Sequence, residues 1–220
     1  MKNTVSYSTK KRAISIAALL CCITALLFTF GSLMPSAKAQ TQSALAGPSI
    51  LILYDNDAPY GWLGSIYSLK LENLLGHFDA KVTRKALADY SSGDLAANDA
   101  TFYLGSVWRS QPMPGSMTVD MDANTKPFVW MGVNLWCYAW DMATCAWRQD
   151  FNQRYGIQVA YYSGENHPKV IYKDTELQKE LFDPGITRLV VTDPSKVAVR
   201  AKCLDASGTE WPYITQSGNF

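Results

Sequence analysis

Residues 49–64, SILILYDNDAPYGWLG, decide the fold. The run Ile50-Leu51-Ile52-Leu53-Tyr54 is continuously apolar and bounded by turn residues, which reads as a strand buried on both faces. It stops at Asp55-Asn56-Asp57, and Pro59 and Gly61 are loop formers. A helical pattern begins after Gly64. Strand, polar loop and helix make the opening unit of a parallel α/β sheet, in which ligands sit beyond the carboxyl ends of the strands. Tyr54, Asp55 and Asp57 therefore fall where a site would form.

Downstream, Leu71, Leu74, Leu75 and Phe78 follow i, i+3, i+4, i+7 and predict an amphipathic helix, with Gly76 as its C-cap. His77 then sits at or just past the helix end, where it can favour the negative end of the dipole. Residues 81–90 are ambiguous between strand and helix, and Ser91-Ser92-Gly93-Asp94 is a turn. Residues 100–108, ATFYLGSVW, read as a second buried strand ending at Gly105-Ser106. A short helix is expected over 116–124, and residues 127–132, PFVWMG, form a third apolar strand. Asn134 is placed to N-cap a helix running through Arg154, which Gly156 stops. Beyond it, Ile157–Ser163, Lys169–Lys173, Leu189–Thr192 and Val197–Cys203 are short β-like runs, expected as an antiparallel extension or edge of the same sheet. The fold class is thus α/β: a three-layer, Rossmann-like arrangement of flavodoxin or amidotransferase type, its mostly parallel sheet followed by a β-rich C-terminal extension.

Upstream, residues 1–12 carry Lys2, Lys10, Lys11 and Arg12 without an acid, residues 13–34 are apolar, and Ala37-Lys38-Ala39 follows. A basic start, an apolar core and an A-x-A site read as a secretory signal peptide over 1–39. The alternative is an uncleaved inner-membrane anchor, since the run is long enough to span a bilayer. Residues 40–48 are a small-residue linker, and 49–220 form a single α/β domain. Export places the protein in the periplasm or outside the cell. Residues 1–39 hold five of the 20 basic residues and none of the 19 acids, so residues 40–220 carry a net charge of −4. No basic stripe remains, which argues against nucleic-acid binding. Membrane contact is expected only through residues 13–34, if uncleaved. Cys137, Cys145 and Cys203 are an odd set. On one straight helix, Cys137 and Cys145 would stand about 12 Å apart, too far to bond, so a disulfide there requires a broken helix.

Three strand ends converge in this reading: Tyr54-Asp55, Gly105-Ser106 and Gly132-Val133-Asn134. Their glycines allow backbone to approach a ligand. The arrangement resembles class I glutamine-amidotransferase-like folds, where a nucleophilic Cys occupies a sharp turn after a strand. Here Val133 and Asn134 hold that place, and neither is a thiol; no catalytic residue is assigned. His77 and His167 are the two histidines, far apart and not in a His-x-x-x-His pair, so no metal site or cofactor is assigned. Asp55 and Asp57 could hold a hard cation with loop carbonyls; the plainer reading is that they end the strand and cap the next helix. The aromatic residues are the remaining lead. Trp62, Trp108 and Trp136 lie at or near the strand-end loops and offer flat faces for sugar rings, with core packing as the alternative for each. Trp130 sits mid-strand and reads as core. The candidate ligand-binding set is Tyr54, Asp55, Asp57, Trp62, Gly105, Ser106, Trp108, Asn134 and Trp136.

Several blocks together resemble one family: Leu51-x-Leu53-Tyr54-Asp55 with Gly61 and Gly64; Asn73-Leu74-Leu75-Gly76-His77-Phe78; Tyr103-Leu104-Gly105-Ser106; Lys126-Pro127-x-x-Trp130-x-Gly132-x-Asn134-x-Trp136; Phe151-x-x-x-Tyr155-Gly156; and Pro212-Tyr213-x-x-x-Ser217-Gly218-Asn219. They are similar to the N-terminal region of a domain-of-unknown-function family of exported bacterial proteins related to polysaccharide deacetylases. The resemblance implies an accessory domain that binds envelope polysaccharide or docks a deacetylase-like domain. In that family the metal-binding Asp and His residues belong to a following half, and none can be carried onto this sequence. The alternatives it leaves are a truncated carbohydrate deacetylase and a degenerate amidotransferase-like hydrolase.

Overall fold

The computed structural model describes residues 47–57, 60–106, 113–141, 143–165, 167–178 and 186–220. The segment read as a signal peptide or anchor, most of the linker, and Trp108 lie outside the described residues. Among the described residues, no helix is long and apolar enough to cross a membrane.

The first strand is β1 (Ser49–Tyr54). It pairs in parallel with β2 (Lys81–Ala86) on one side and β3 (Ala100–Gly105) on the other, and β3 pairs with β4 (Phe128–Gly132). The order is β2-β1-β3-β4. Ile52 and Leu53 point to opposite faces and are both fully buried, as a continuous apolar run in a two-sided sheet requires. The ambiguous segment after the first helix is strand β2 followed by a 3₁₀ turn, Leu87–Asp89. The helix α1 (Gly61–Leu75) covers one face, closing a small core of Ile50, Ile52, Leu75 and Leu104. The other face carries the main core, where Leu51, Leu53, Tyr103 and Phe128 meet α2 (Gly115–Ala123), α3 (Trp136–Ala139) and α4 (Gln149–Tyr155). Helices on both faces of a parallel sheet complete the three layers.

The buried stripe of α1 differs from expectation. Of Leu71, Leu74, Leu75 and Phe78, Leu75 is buried and Leu71 half-buried, while Leu74 and Phe78 are 59 % and 65 % exposed. The face against the sheet is Gly61, Gly64, Ser68 and Leu75. The glycines decide this. A Cβ on Gly61 would stand 2.1 Å from the Asn56 carbonyl oxygen, and one on Gly64 1.8 Å from that of Asp55. The helix lies so close to the end of β1 that only hydrogen atoms fit.

The expected helix from Asn134 to Arg154 is broken into α3 and α4 by a short hairpin, β5 (Trp140–Asp141) and β6 (Ala146–Trp147). The Asp141 carboxylate accepts from the Ala143 N–H (2.8 Å) and the Thr144 hydroxyl (2.9 Å), and Cys145 turns through φ 51°. Local carboxylate-to-backbone bonds of this kind compete with helix. The Trp140 and Trp147 rings pack edge-on at 5.0 Å across the hairpin. Cys137 is consequently buried on α3 while Cys145 is exposed on the turn, so the two do not share a helix. Gly156 ends α4 in the left-handed conformation, φ 65°, as the sequence predicts.

The second half is antiparallel, but it forms sheets of its own and does not extend the parallel one. β7 (Ile157–Ser163) pairs with β10 (Ile186–Val191), and a four-stranded sheet runs β12-β11-β8-β9. Its strands are β8 (Lys169–Tyr172), β9 (Thr175–Gln178), β11 (Val197–Leu204) and β12 (Glu210–Ser217). β9 has no buried residue, and β12 carries Pro212 at the sheet edge where a missing N–H is tolerated, so neither gave an apolar alternation to read. The chain then returns to the parallel sheet. The Phe128 N–H donates to the Asn219 carbonyl (2.8 Å), and the Phe220 ring stacks on Phe128 at 5.9 Å and lies 4.7 Å from the Tyr155 ring.

Buried polar groups tie the antiparallel half together. Arg188 donates to Glu165 (2.7 Å) and to His167 Nε2 (3.3 Å), and lies over the Trp211 ring at 4.2 Å. Arginine only donates, so His167 Nε2 accepts and Nδ1 carries the proton given to the Glu165 carbonyl (2.8 Å). Trp211 Nε1 donates to Asp205 (3.0 Å), which also accepts from the Ser207 hydroxyl (2.6 Å) and the Thr209 N–H (2.9 Å). These donors, the Ser207 hydroxyl foremost and Trp211 next, hold the Asp205 carboxyl well below the usual carboxylate range. A folded value below the unfolded one gives stability that is present above about pH 4 and is lost as pH falls through the folded value. Wild type should therefore melt above Asp205→Asn at neutral pH, and the gap should close as melts are taken from about pH 5 toward pH 2. A constant gap would show that the carboxylate charge is not what these donors hold.

Candidate functional site at the strand ends

Register brings the expected strand ends together. Tyr54 stands opposite Leu104, and Gly105 opposite Gly132. The backbone continues the alignment past the strands: the Asp55 N–H donates to the Leu104 carbonyl (3.2 Å) and the Val133 N–H to the Gly105 carbonyl (3.0 Å). Glycine is required here, since a Cβ on Gly105 would lie 2.2 Å from the Val133 carbonyl oxygen.

The centre is a buried polar triad. Asp55 Oδ2 accepts from the Tyr103 hydroxyl (2.8 Å) and from Asn134 Nδ2 (2.8 Å). All three residues are fully buried. A buried carboxyl group is tolerated when hydrogen bonds replace water, and here they come from β3 and from the turn after β4. Asn134 reaches this position by adopting φ 76°, a left-handed conformation that asparagine accepts more readily than most residues. The Trp130 indole N–H supports the same turn, donating to the Val133 carbonyl (2.9 Å), and its ring lies 4.3 Å from that of Tyr103.

Two expected roles are corrected by this geometry. Asn134 does not cap a helix through its side chain, which is turned to Asp55; its carbonyl accepts the Cys137 N–H (2.8 Å), and α3 begins without a side-chain cap. Nor is the Asp55 carboxylate spent on capping α1, whose N-cap residue Tyr60 makes no side-chain cap bond. The carboxylate of Asp55 is drawn inward by two long-range donors instead.

Of the nine candidate residues, Tyr54, Asp55, Gly105, Ser106 and Asn134 are brought together at the strand ends. The Ser106 hydroxyl oxygen is buried, has no hydrogen-bond partner among the described residues, and would stand 3.0 Å from a Cβ on Gly64. Asp57 is half-buried in the loop after β1. Trp62 is 58 % exposed in the first turn of α1, between the two glycines that abut Asn56 and Asp55, so it stands at the same end of the sheet. Trp136 is half-buried against the main core at the start of α3. Trp108 lies outside the described residues. Tyr103 and the exposed Tyr60 were not anticipated. Tyr103 reads from sequence as an ordinary strand aromatic, and only its register beside β1 reveals its hydroxyl as the partner of Asp55.

The turn between β4 and α3 bends sharply, with φ 83° at Gly132 and 76° at Asn134. Where the resemblance to amidotransferase-like folds leads one to expect a nucleophile, the turn presents the buried amide of Asn134. Among the described residues, no three His, Cys, Asp or Glu side chains are grouped to hold a metal ion.

No family model matches the chain, and no curated protein matches it. Among solved structures it is similar to one described as a ThuA-like protein from Bacteroides uniformis ATCC 8492, with a TM-score of 0.54 and 12 % identity, covering 86 % of this chain and 82 % of that one. The likeness shows a glutamine-amidotransferase-like α/β fold.

Proposed function

We propose that this protein is a non-catalytic accessory domain that binds polysaccharide beyond the carboxyl ends of its parallel strands. The supporting observation is the occupant of the nucleophile turn. Asn134 is fully buried and donates to Asp55 (2.8 Å), an arrangement suited to holding strand ends and ill suited to attacking a substrate. At the same end of the sheet, Trp62 and Tyr60 expose large aromatic faces at 58 % and 56 %, the kind of platform on which sugar rings stack. Polysaccharide as the ligand, export to the periplasm or beyond, and docking to a deacetylase-like domain all follow from the sequence resemblance to exported, deacetylase-related proteins. A second reading, a degenerate hydrolase, is favoured by the backbone of the turn, where Gly132 and Asn134 both have positive φ.

Glycan arrays of envelope polysaccharide fragments, followed by calorimetry on any hit, test the first reading. Trp62→Ala should weaken binding about tenfold or more while leaving the melting temperature unchanged, as loss of an exposed aromatic platform predicts. Absence of any glycan binding would sink it. Release of acetate from acetylated oligosaccharides by the purified chain, with or without divalent metal, would replace it with a hydrolase.

A further inference from the structure

We infer that α1 and β4 form a two-fold interface with a second copy of this chain, the partner's α1 lying antiparallel to α1 across β3 and β4. The reason is a matched pair of deficits. Among the described residues no helix covers β4 on this face: Val129 and Met131 share it with Phe102 and Leu104, and α1 packs on β1, β2 and β3, so both side chains of β4 are left 41 % exposed. The helix, in turn, has too much apolar surface. One flank of α1 faces β2, where Glu72 pairs with Arg84 at 2.7 Å. At about 100° per residue, Tyr67 and Leu74 occupy the opposite flank, toward β3 and β4, and both are exposed, as is Phe78 beyond the helix end. Ile66 points outward, Leu69 points outward on the Glu72 side, and both are exposed. Lys70 stands among them, its ammonium 5.8 Å from the Tyr67 ring centroid, and a helix with this much apolar surface away from its own sheet is ordinarily covered on more than one side.

A second copy satisfies both deficits with one surface. The partner's α1 would fill the empty position over β3 and β4, Tyr67 would meet the partner's Leu74 along the antiparallel flank, and Ile66 and Leu69 would rest on the partner's sheet. Seven roughly half-exposed side chains leave on the order of 600 Å² of apolar surface if each offers roughly 150–200 Å². That approaches the roughly 800 Å² per partner of a stable interface and reaches the upper end of what monomers expose in one patch, about 300–600 Å². Trp62, at the amino end of α1, stays at the strand-end rim.

Sedimentation velocity of the full chain at about 50 μM should show a dimer. Leu74→Glu and Met131→Lys, both at exposed positions, should each weaken it about 30-fold or more, as burial of an uncompensated charge at a contact predicts, with unchanged circular dichroism. The register has its own test. In a background with Cys21, Cys22 and Cys145 changed to Ser, Tyr67→Cys with Leu74→Cys should oxidise to a covalent dimer. Within one helix these positions are about 10.5 Å apart, beyond disulfide reach, so the bond must cross between copies. A monomer at this concentration overturns the inference, as does a dimer indifferent to both charged variants. A monomer whose residues 13–34 become protease-sensitive on Leu74→Glu also overturns it, and assigns the face to that segment.

Discussion

Gly64→Val destabilises the domain by about 3 kcal/mol or more, the upper range for overpacking, and lowers its urea midpoint accordingly. The added Cβ would lie 1.8 Å from the Asp55 carbonyl oxygen and 3.0 Å from its carbon. Relief requires either α1 or the end of β1 to move. The strand end cannot yield without loss, because Asp55 is held by its N–H to Leu104 and by its carboxylate to Tyr103 and Asn134. Moving the helix instead would uncover Ile52 and Leu104, which it helps bury. Gly115→Ala is the control. It lies in the first turn of α2 with nothing within 4 Å of an added Cβ, and it should change stability by no more than about 0.5 kcal/mol. Equal effects at the two positions would mean that close approach of α1 to β1 is not what Gly64 provides.

Asp55→Ala costs about 3–5 kcal/mol, because two buried donors, the Tyr103 hydroxyl and Asn134 Nδ2, lose their shared acceptor at once. For a domain of this size that corresponds to a fall in melting temperature of about 10 °C. Asp55→Asn should cost less, since both donors meet at Oδ2 and an amide carbonyl oxygen in that place still accepts the two of them. The triad acts as a unit, so Asp55→Ala and Asn134→Ala should be strongly non-additive: the double variant should be more stable than the sum of the singles implies by about 1 kcal/mol or more. Additivity within about 0.5 kcal/mol would show that the Asp55–Asn134 bond carries little of the stability. Because Asn134 is strained at φ 76°, its release should also loosen the turn after β4, measurable as faster amide exchange at Val133, whose N–H bonds Gly105.

The two predictions share one cause, and it marks where reading the sequence succeeds and where it stops. The strands β1, β3 and β4 were legible because each is a short apolar run closed by Gly or a polar turn, a pattern written in adjacent residues. Their convergence at Asp55, Ser106 and Asn134 followed from the parallel-sheet rule alone. The stripe of α1 differs from the sequence expectation because GWLGSIYSLKLENLL carries apolar residues on more than one side, with Lys70, Glu72 and Asn73 scattered among them. Periodicity could not choose a face, and the two glycines three residues apart outweighed the leucines by permitting a closer approach. The hairpin inside the expected long helix was hidden for a similar reason. Its tryptophans fit helix and strand alike, and the turn is made by Asp141 bonding its own neighbours.

What the sequence determined by itself is the local grammar: which runs are strands, where glycine must end them, and that the first of them lies buried between two layers. These follow from side-chain pattern and backbone permissiveness within a dozen residues. What only the tertiary structure decided is the direction each polar group faces. Asp55, Tyr103 and Asn134 are separated by dozens of residues, and a carboxylate that could have capped a helix or held a cation is turned inward because register delivers two donors to it in a place water does not reach. Hydrogen-bond partners across such distances are chosen by packing, and packing is not written in any one stretch of the chain.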